Sequence, residues 1–199
     1  MFAPGPIEAI DLWQRAASYA ALMHASQRRK DGVTPYFAHP ARVALVIREV
    51  FEVADPICLA AAYLHDVIED TPADYDDVVE RFGTPIATVV AAMTKDMRLP
   101  EPEREQAYDE QLLRADWRAR LVKLADVYDN LCDRVTRIDT RSPKQGVERV
   151  ERAITIAEPL ARGDGQEAAA LQRGIAALRE LVVAHQAMWE EEQRGAKRA

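Results

Sequence analysis

The sequence predicts an all-α fold organised around one core, and three observations lead there. Apolar residues recur at three- and four-residue spacing along most of the chain, and no stretch alternates apolar and polar residues as a half-buried strand would. Proline and glycine fall between these periodic stretches, where they act as punctuation. A length of 199 residues with 48% hydrophobic content suffices for one good core and is short for two. No internal repeat or linker divides the chain. Residues 1–199 are therefore expected to form a single compact multi-helix domain, with a core over about 7–160 and C-terminal helices over about 147–193.

The elements follow in order. Pro4, Gly5 and Pro6 precede a first helix, roughly Ile7 to Gln27, in which Ile10, Trp13, Ala17, Ala20 and Met23 recur at helical spacing. Arg28 to Tyr36 carries Gly32 and Pro35 and reads as a loop. A second helix runs from about His39 to Phe51. Asp55 before Pro56 caps a third, which continues through His65 and Asp66 to about Glu69, where Thr71-Pro72 ends it. Asp74 to Phe82 forms a short acidic helix closed by Gly83, and Thr84-Pro85 starts another carrying Ile86, Val89, Val90 and Met93. Lys95 to Glu105, polar and proline-punctuated, reads as a mobile surface loop. A long helix from about Trp117 to Arg137 follows, and its stripe of Trp117, Leu121, Leu124, Tyr128 and Leu131 reads as core. Gly146 opens a further helix, Gly163-Asp164-Gly165 breaks it, and a final helix ends near Gln193 before a frayed tail.

Composition excludes several functions. No apolar run approaches the length of a bilayer span, and MFAPGPIEAIDLW lacks the basic patch and apolar core of a secretory signal. Cys58 and Cys132 sit in apolar helical contexts without zinc-type spacing. They read as reduced residues of a cytoplasmic protein, with a disulfide left open by sequence alone. A net charge of -7 argues against a broad basic face for bulk nucleic acid, whereas a local cationic cluster suffices for a small anionic ligand.

The chemistry concentrates in AAYLHDVIEDT. On a continuous helix, residues four apart share a face, which puts Glu69 over His65 and Asp70 over Asp66. His39, His65, Asp66 and Asp126 then supply two imidazoles and two carboxylates from three helices. This mixed set suits Mn²⁺, Fe²⁺ or Zn²⁺ and contains no thiolate. Singly, each has an ordinary explanation: a packing or capping histidine, a local His-Asp surface pair, a satisfied structural carboxylate. Jointly, a shared cation explains them better, because Asp66 and Asp126 interrupt apolar faces where an uncompensated carboxylate is expensive. Glu69 or Asp70 can then accept a proton from an activated water.

The run Arg28, Arg29, Lys30 fits phosphate contacts, with a solvated turn as the alternative. Arg134, Arg137, Arg141 and Lys144 form a second basic stretch, equally readable as a helix end favoured by its dipole. Asn130, one turn after Asp126, can hydrogen-bond a sugar or phosphate. His24 and His185 lack such company and read as structural, with His24 able to line the rim of the site.

Four segments in this order, RRKDGVTPYFAHPARVA, AAYLHDVIEDTP, FGTPIATVVAAMTK and LVKLADVYDNL, resemble the hydrolase domain of RelA/SpoT-type enzymes in its small, stand-alone alarmone hydrolase form. The resemblance covers most of residues 7–195. It implies an all-α domain of the HD superfamily, Mn²⁺ as cofactor, and removal of pyrophosphate from the 3′ position of guanosine tetra- or pentaphosphate, a small-molecule nucleotide. Residue by residue it implies His39, His65, Asp66 and Asp126 as metal ligands and Glu69 and Asp70 as the acidic pair that activates water. It also implies Arg29 and Lys30 as the nucleotide-contacting basic pair, with Arg28 beside them, and Asn130 as the asparagine near the ribose. One departure matters. After LAD the family pattern usually carries a basic residue, and an aromatic next to the asparagine; here the segment reads Val127-Tyr128-Asp129-Asn130. An adenosine alarmone or another 3′-phosphorylated nucleotide thus stays open as substrate. So do an HD-type hydrolase of phosphomonoesters or cyclic nucleotides and a nucleotide sensor without catalysis.

Overall fold

The computed structural model describes residues 6–136 and 144–196. Its regular structure is helical throughout, in the order α1 (Pro6–Met23), α2 (Ala38–Leu45), a π-helical turn (Val46–Val50), α3 (Pro56–Leu64), α4 (Val67–Asp70), α5 (Tyr75–Phe82), α6 (Thr84–Met93), α7 (Glu101–Arg114), α8 (Trp117–Thr136), α9 (Lys144–Ala161) and α10 (Gln166–Ala196). An isolated antiparallel bridge joins Arg28 to Pro35 within the loop after α1.

Small side chains set the centre. Ala60, Ala61 and Ala62 of α3 are fully buried, and α1 meets that helix with Ala16 and Ala20, also fully buried. Alanine on both sides lets the backbones approach closely, so α3 can be surrounded by α1, α2, α6 and α8. α8 contributes Leu121, Val122, Leu124, Ala125 and Leu131 to the same core and carries α9 and α10 on its other side. Where α10 crosses, Gly174 gives close approach: a Cβ there would lie 3.1 Å from Leu124 Cδ1 and 3.3 Å from Phe51 Cε2, tighter than ordinary packing. Among the described residues, no helix is long and apolar enough to cross a membrane.

Local chemistry explains most boundaries. Asp55 caps α3, accepting from Cys58 N at 2.7 Å, and Pro56 occupies the first turn. Asp74 and Asp77 form a reciprocal capping box on α5, which Gly83 closes with φ of 84°. Asp55 also receives a two-pronged contact from Arg118, at 2.9 and 2.8 Å, that ties α3 to α8. Asp55→Ala is therefore expected to destabilise the fold by about 2 kcal/mol, the sum of a lost cap and a partly exposed ion pair. Urea unfolding at constant m-value measures it, and a change within error would remove Asp55 from both roles.

Four expectations need correction. The third helix does not run unbroken to Glu69: it stops at Leu64, and a separate turn, α4, carries Glu69 and Asp70. His65 Nδ1 donates to the Ala62 carbonyl at 2.9 Å, the acceptor an unbroken helix reserves for the Asp66 amide, and Asp66 sits at φ -100°, ψ -2°. Helical bonding resumes at once, with Asp70 N donating to Asp66 O at 2.9 Å. Lys95 to Glu105 is not one surface loop, since α7 starts at Glu101 with Pro102 in its first turn. Lys95 itself is fastened, its N donating to Glu69 at 2.8 Å and its Nζ lying 2.6 Å from Glu105, while Asp96, Met97 and Arg98 are exposed. The second helix loses its regular register at Val46, where Phe51 N bonds Val46 O at 2.9 Å, a π-type step that turns Phe51 into the core. α10 continues to Ala196, three residues past the expected Gln193. The side chain of Arg134, and all of Arg137 and Arg141, lie outside the described residues.

Candidate metal centre and adjoining cavity

α2, the α3–α4 break and the middle of α8 converge on one point. His39 enters from α2, His65 and Asp66 from the break, Asp126 from α8. Ligand-type atoms of His39, His65 and Asp126 all lie within 4.8 Å of one another. His39 Nε2 is 3.2 Å from Asp126 Oδ1 and 3.7 Å from Asp66 Oδ2. His65 Nε2 is 3.1 Å from Asp66 Oδ2 and 4.0 Å from Asp126 Oδ1. The four side chains singled out in the sequence therefore come together from distant positions.

The hydrogen bonds around the two imidazoles decide what this cluster can hold. A carbonyl can only accept, so the Ala62 oxygen holds a proton of His65 on Nδ1 and turns Nε2 toward the carboxylates, where the neutral ring presents a lone pair. Asp129 Oδ2, 2.7 Å from His39 Nδ1, does the same for His39. His65 Nε2 is buried and makes no hydrogen bond. Two imidazole lone pairs and two carboxylates that face each other in a buried site repel unless positive charge stands among them. The donor set fits a divalent cation. The protonation balance carries the same demand. Burial disfavours an imidazolium at His65, yet Asp66 and Asp126 outweigh it and lift the group to about 9. Burial likewise opposes ionisation of Asp126, but Lys123 and the two histidines hold its carboxyl well below the usual range.

Around this centre lie groups that sequence reasoning passed over. Tyr36 Oη donates to Asp66 Oδ2 at 2.6 Å and reaches Asp70 Oδ2 at 3.1 Å. Burial and the two carboxylates push its phenol well above the ordinary tyrosine value, so it stays a donor. Lys123 Nζ lies 2.9 Å from Asp126 Oδ2. Spacing could have flagged Lys123: it forms one polar stripe with Asp126, Asn130 and Asp133 at helical intervals along α8. Reading Trp117 to Leu131 for its apolar face hid the polar one beside it.

The remaining candidates divide. Glu69 Oε2 accepts from Lys95 N, and burial raises the pKa of both Glu69 and Asp70. Asn130 Nδ2 donates to Asp126 Oδ1 at 2.6 Å, and Arg29 Nη2 donates to Asn130 Oδ1 at 3.0 Å and Asp133 Oδ2 at 2.8 Å. Arg29 and Asn130 thus adjoin the centre. Arg28 turns back instead, donating to the Ala25 and Gln27 carbonyls, and Lys30 is exposed on the same loop. His24 is buried against the Tyr36 ring, 4.8 Å between centroids, and holds Gln27, which donates to the Asp70 carbonyl. Half-buried His185 belongs to α10.

A cavity of about 430 Å³ opens beside Asp126 and Asn130, between α7, α8 and α9. Lys95, Lys123, Arg149 and Arg152 bring positive charge to its wall, with Glu105 and Asp109 bound to Arg152 at 2.8 and 2.7 Å. Glu101 and Asp126 line it too, so acids and bases balance, and its size suits a small organic molecule.

Residues 16–166 match the HD domain family. The chain is 41% identical over 116 residues to a guanosine-3′,5′-bis(diphosphate) 3′-pyrophosphohydrolase, MESH1, of Drosophila melanogaster, and 42% identical over 119 residues to its Homo sapiens counterpart. These matches cover 58% and 59% of this chain and span 65% and 66% of the relatives' own length. A solved structure of a metazoan ortholog of SpoT, described as hydrolysing ppGpp, superposes with a TM-score of 0.68 at 28% identity, covering 89% of this chain and 96% of that one.

Proposed function

Because the chain belongs to the HD domain family, we propose that it is a metal-dependent hydrolase that removes pyrophosphate from the 3′ position of guanosine tetra- and pentaphosphate. The observation that carries this reading is the meeting of His39, His65 and Asp126 within 4.8 Å, with Asp66 beside them, next to a cavity lined by both basic and acidic side chains. The activity named for the relatives supports the choice of substrate.

In this proposal His39, His65, Asp66 and Asp126 hold the ion, and Mn²⁺ suits two imidazoles and two carboxylates with positions to spare. A bound divalent ion supplies the charge that polarises a phosphoryl oxygen and lowers the pKa of water. Glu69 acts as the base: the Lys95 amide holds Oε2, which leaves Oε1 to take the proton of the water attacking the phosphorus next to the 3′ oxygen. Asp70, steadied by Tyr36, orients that water. Arg29 and Lys30 hold the polyphosphate, and Asn130 meets the ribose. A cytoplasmic setting belongs to the same proposal, supported by Cys58 and Cys132, neither of which forms a disulfide. Val127, on the cavity wall where the RelA/SpoT-type pattern carries a basic residue, favours including an adenosine alarmone among the substrates tried.

Protein reconstituted with Mn²⁺ and incubated with guanosine tetraphosphate is expected to yield GDP and pyrophosphate, resolved by anion-exchange chromatography. Release of orthophosphate would move the reading to a phosphomonoesterase, and binding without turnover to a sensor.

A further inference from the structure

Four ligands do not by themselves explain how His39 is kept in its ligating tautomer. Its Nδ1 lies 2.7 Å from Asp129 Oδ2, and the Asp129 side chain is 4% exposed. A carboxylate so buried is costly unless both oxygens are satisfied. Arg42 supplies the rest: Nε donates to Oδ1 at 2.5 Å and Nη2 to Oδ2 at 3.1 Å. Arg42 follows His39 by three residues on α2, and Asp129 follows Asp126 by three on α8, so the two helices are locked in register at the centre. The contacts continue outward, from Arg42 to Asp133 at 3.5 Å and from Asp133 to Arg29 at 2.8 Å.

We infer that Asp129, anchored by Arg42, is the positioning residue that fixes His39 as a metal ligand, an inference that rests on the metal reading of His39 above. An imidazole ligates through one nitrogen only if the other is protonated and aimed, and a carboxylate partner does both more strongly than a neutral carbonyl. The two histidines are therefore held differently, His65 by a backbone oxygen and His39 by an anchored charge.

The test is Mn²⁺ binding to metal-free protein at fixed pH, read from the electron paramagnetic resonance of the free aqueous ion. Asp129→Ala is expected to weaken binding about 10–100-fold. Asp129→Asn keeps an acceptor for the Nδ1 proton and is expected to recover part of that loss. Arg42→Ala leaves the carboxylate without its anchor and is expected to weaken binding by a smaller factor. Thermal unfolding in the presence of chelator identifies the variants that are folded. Equal affinity in wild type and folded Asp129→Ala overturns the inference while leaving the metal reading in place. If that variant does not fold, unchanged affinity in both Asp129→Asn and Arg42→Ala overturns it instead. A wild-type chain that binds no Mn²⁺ overturns the metal reading itself, and the inference with it.

Discussion

Asp126→Asn is expected to lower Mn²⁺ affinity by more than about 100-fold and to bring turnover to background. The substitution preserves size and removes one charge at the point where most of the site meets. Asp126 Oδ1 lies 3.2 Å from His39 Nε2 and accepts from Asn130 at 2.6 Å, while Oδ2 pairs with Lys123 at 2.9 Å. An amide placed here keeps one oxygen acceptor and turns a donor toward either Lys123 or Asn130, both of which already donate. Lys123 is largely buried and has its ion pair with Asp126, so the metal-free variant should also lose about 3 kcal/mol of stability. Two measurements separate the effects: unfolding in chelator reports the lost pair, and Mn²⁺ titration of the folded variant reports the lost ligand. Wild-type affinity in Asp126→Asn would remove this carboxylate from the ligand set.

The joint effect of one substitution on fold and site shows why the sequence was readable where it was. Helix ends were legible because their causes are local: Asp55 before Pro56, the Asp74–Asp77 box and Gly83 act within four residues. The proposed ligands stand out because a carboxylate on an apolar face demands compensation, and Asp66 and Asp126 each make that demand in the one-dimensional pattern. What stayed hidden depends on contacts between distant segments. The break at His65 is decided by a side chain competing for the Ala62 carbonyl, which periodicity does not record. The first turn of α7, up to Glu105, reads as loop because Pro100 and Pro102 dominate it, whereas buried Tyr108 and Leu112 and the Lys95–Glu105 contact fasten the helix to the rest. Arg28 matched Arg29 and Lys30 as a cation, yet only the fold turns its guanidinium back onto Ala25 and Gln27. Asp129 marked a departure from the RelA/SpoT-type pattern, and its role follows only once α2 lies against α8.

On the proposed mechanism, Glu69→Gln separates proton transfer from metal binding. Lys95 N donates to one oxygen of Glu69, and glutamine still offers that amide an acceptor, so the loop before α7 should stay in place. The variant is expected to bind Mn²⁺ with near wild-type affinity and to lose turnover by about 10²–10⁴-fold, the usual worth of a positioned base. The pH profile gives an independent reading. Burial raises the pKa of Glu69, and a base works only when deprotonated, so wild-type kcat/KM should rise with pH through a value above the ordinary glutamate range near 4.3. Asp70 is raised by burial too, but its carboxylate already accepts from Tyr36, a contact suited to holding a group still. Asp70→Asn should therefore keep the acidic limb of the profile at reduced rate, whereas Glu69→Gln should erase it. If the limb survives in Glu69→Gln and disappears in Asp70→Asn, the two carboxylates exchange roles, and the Lys95 contact marks the orienting group rather than the base.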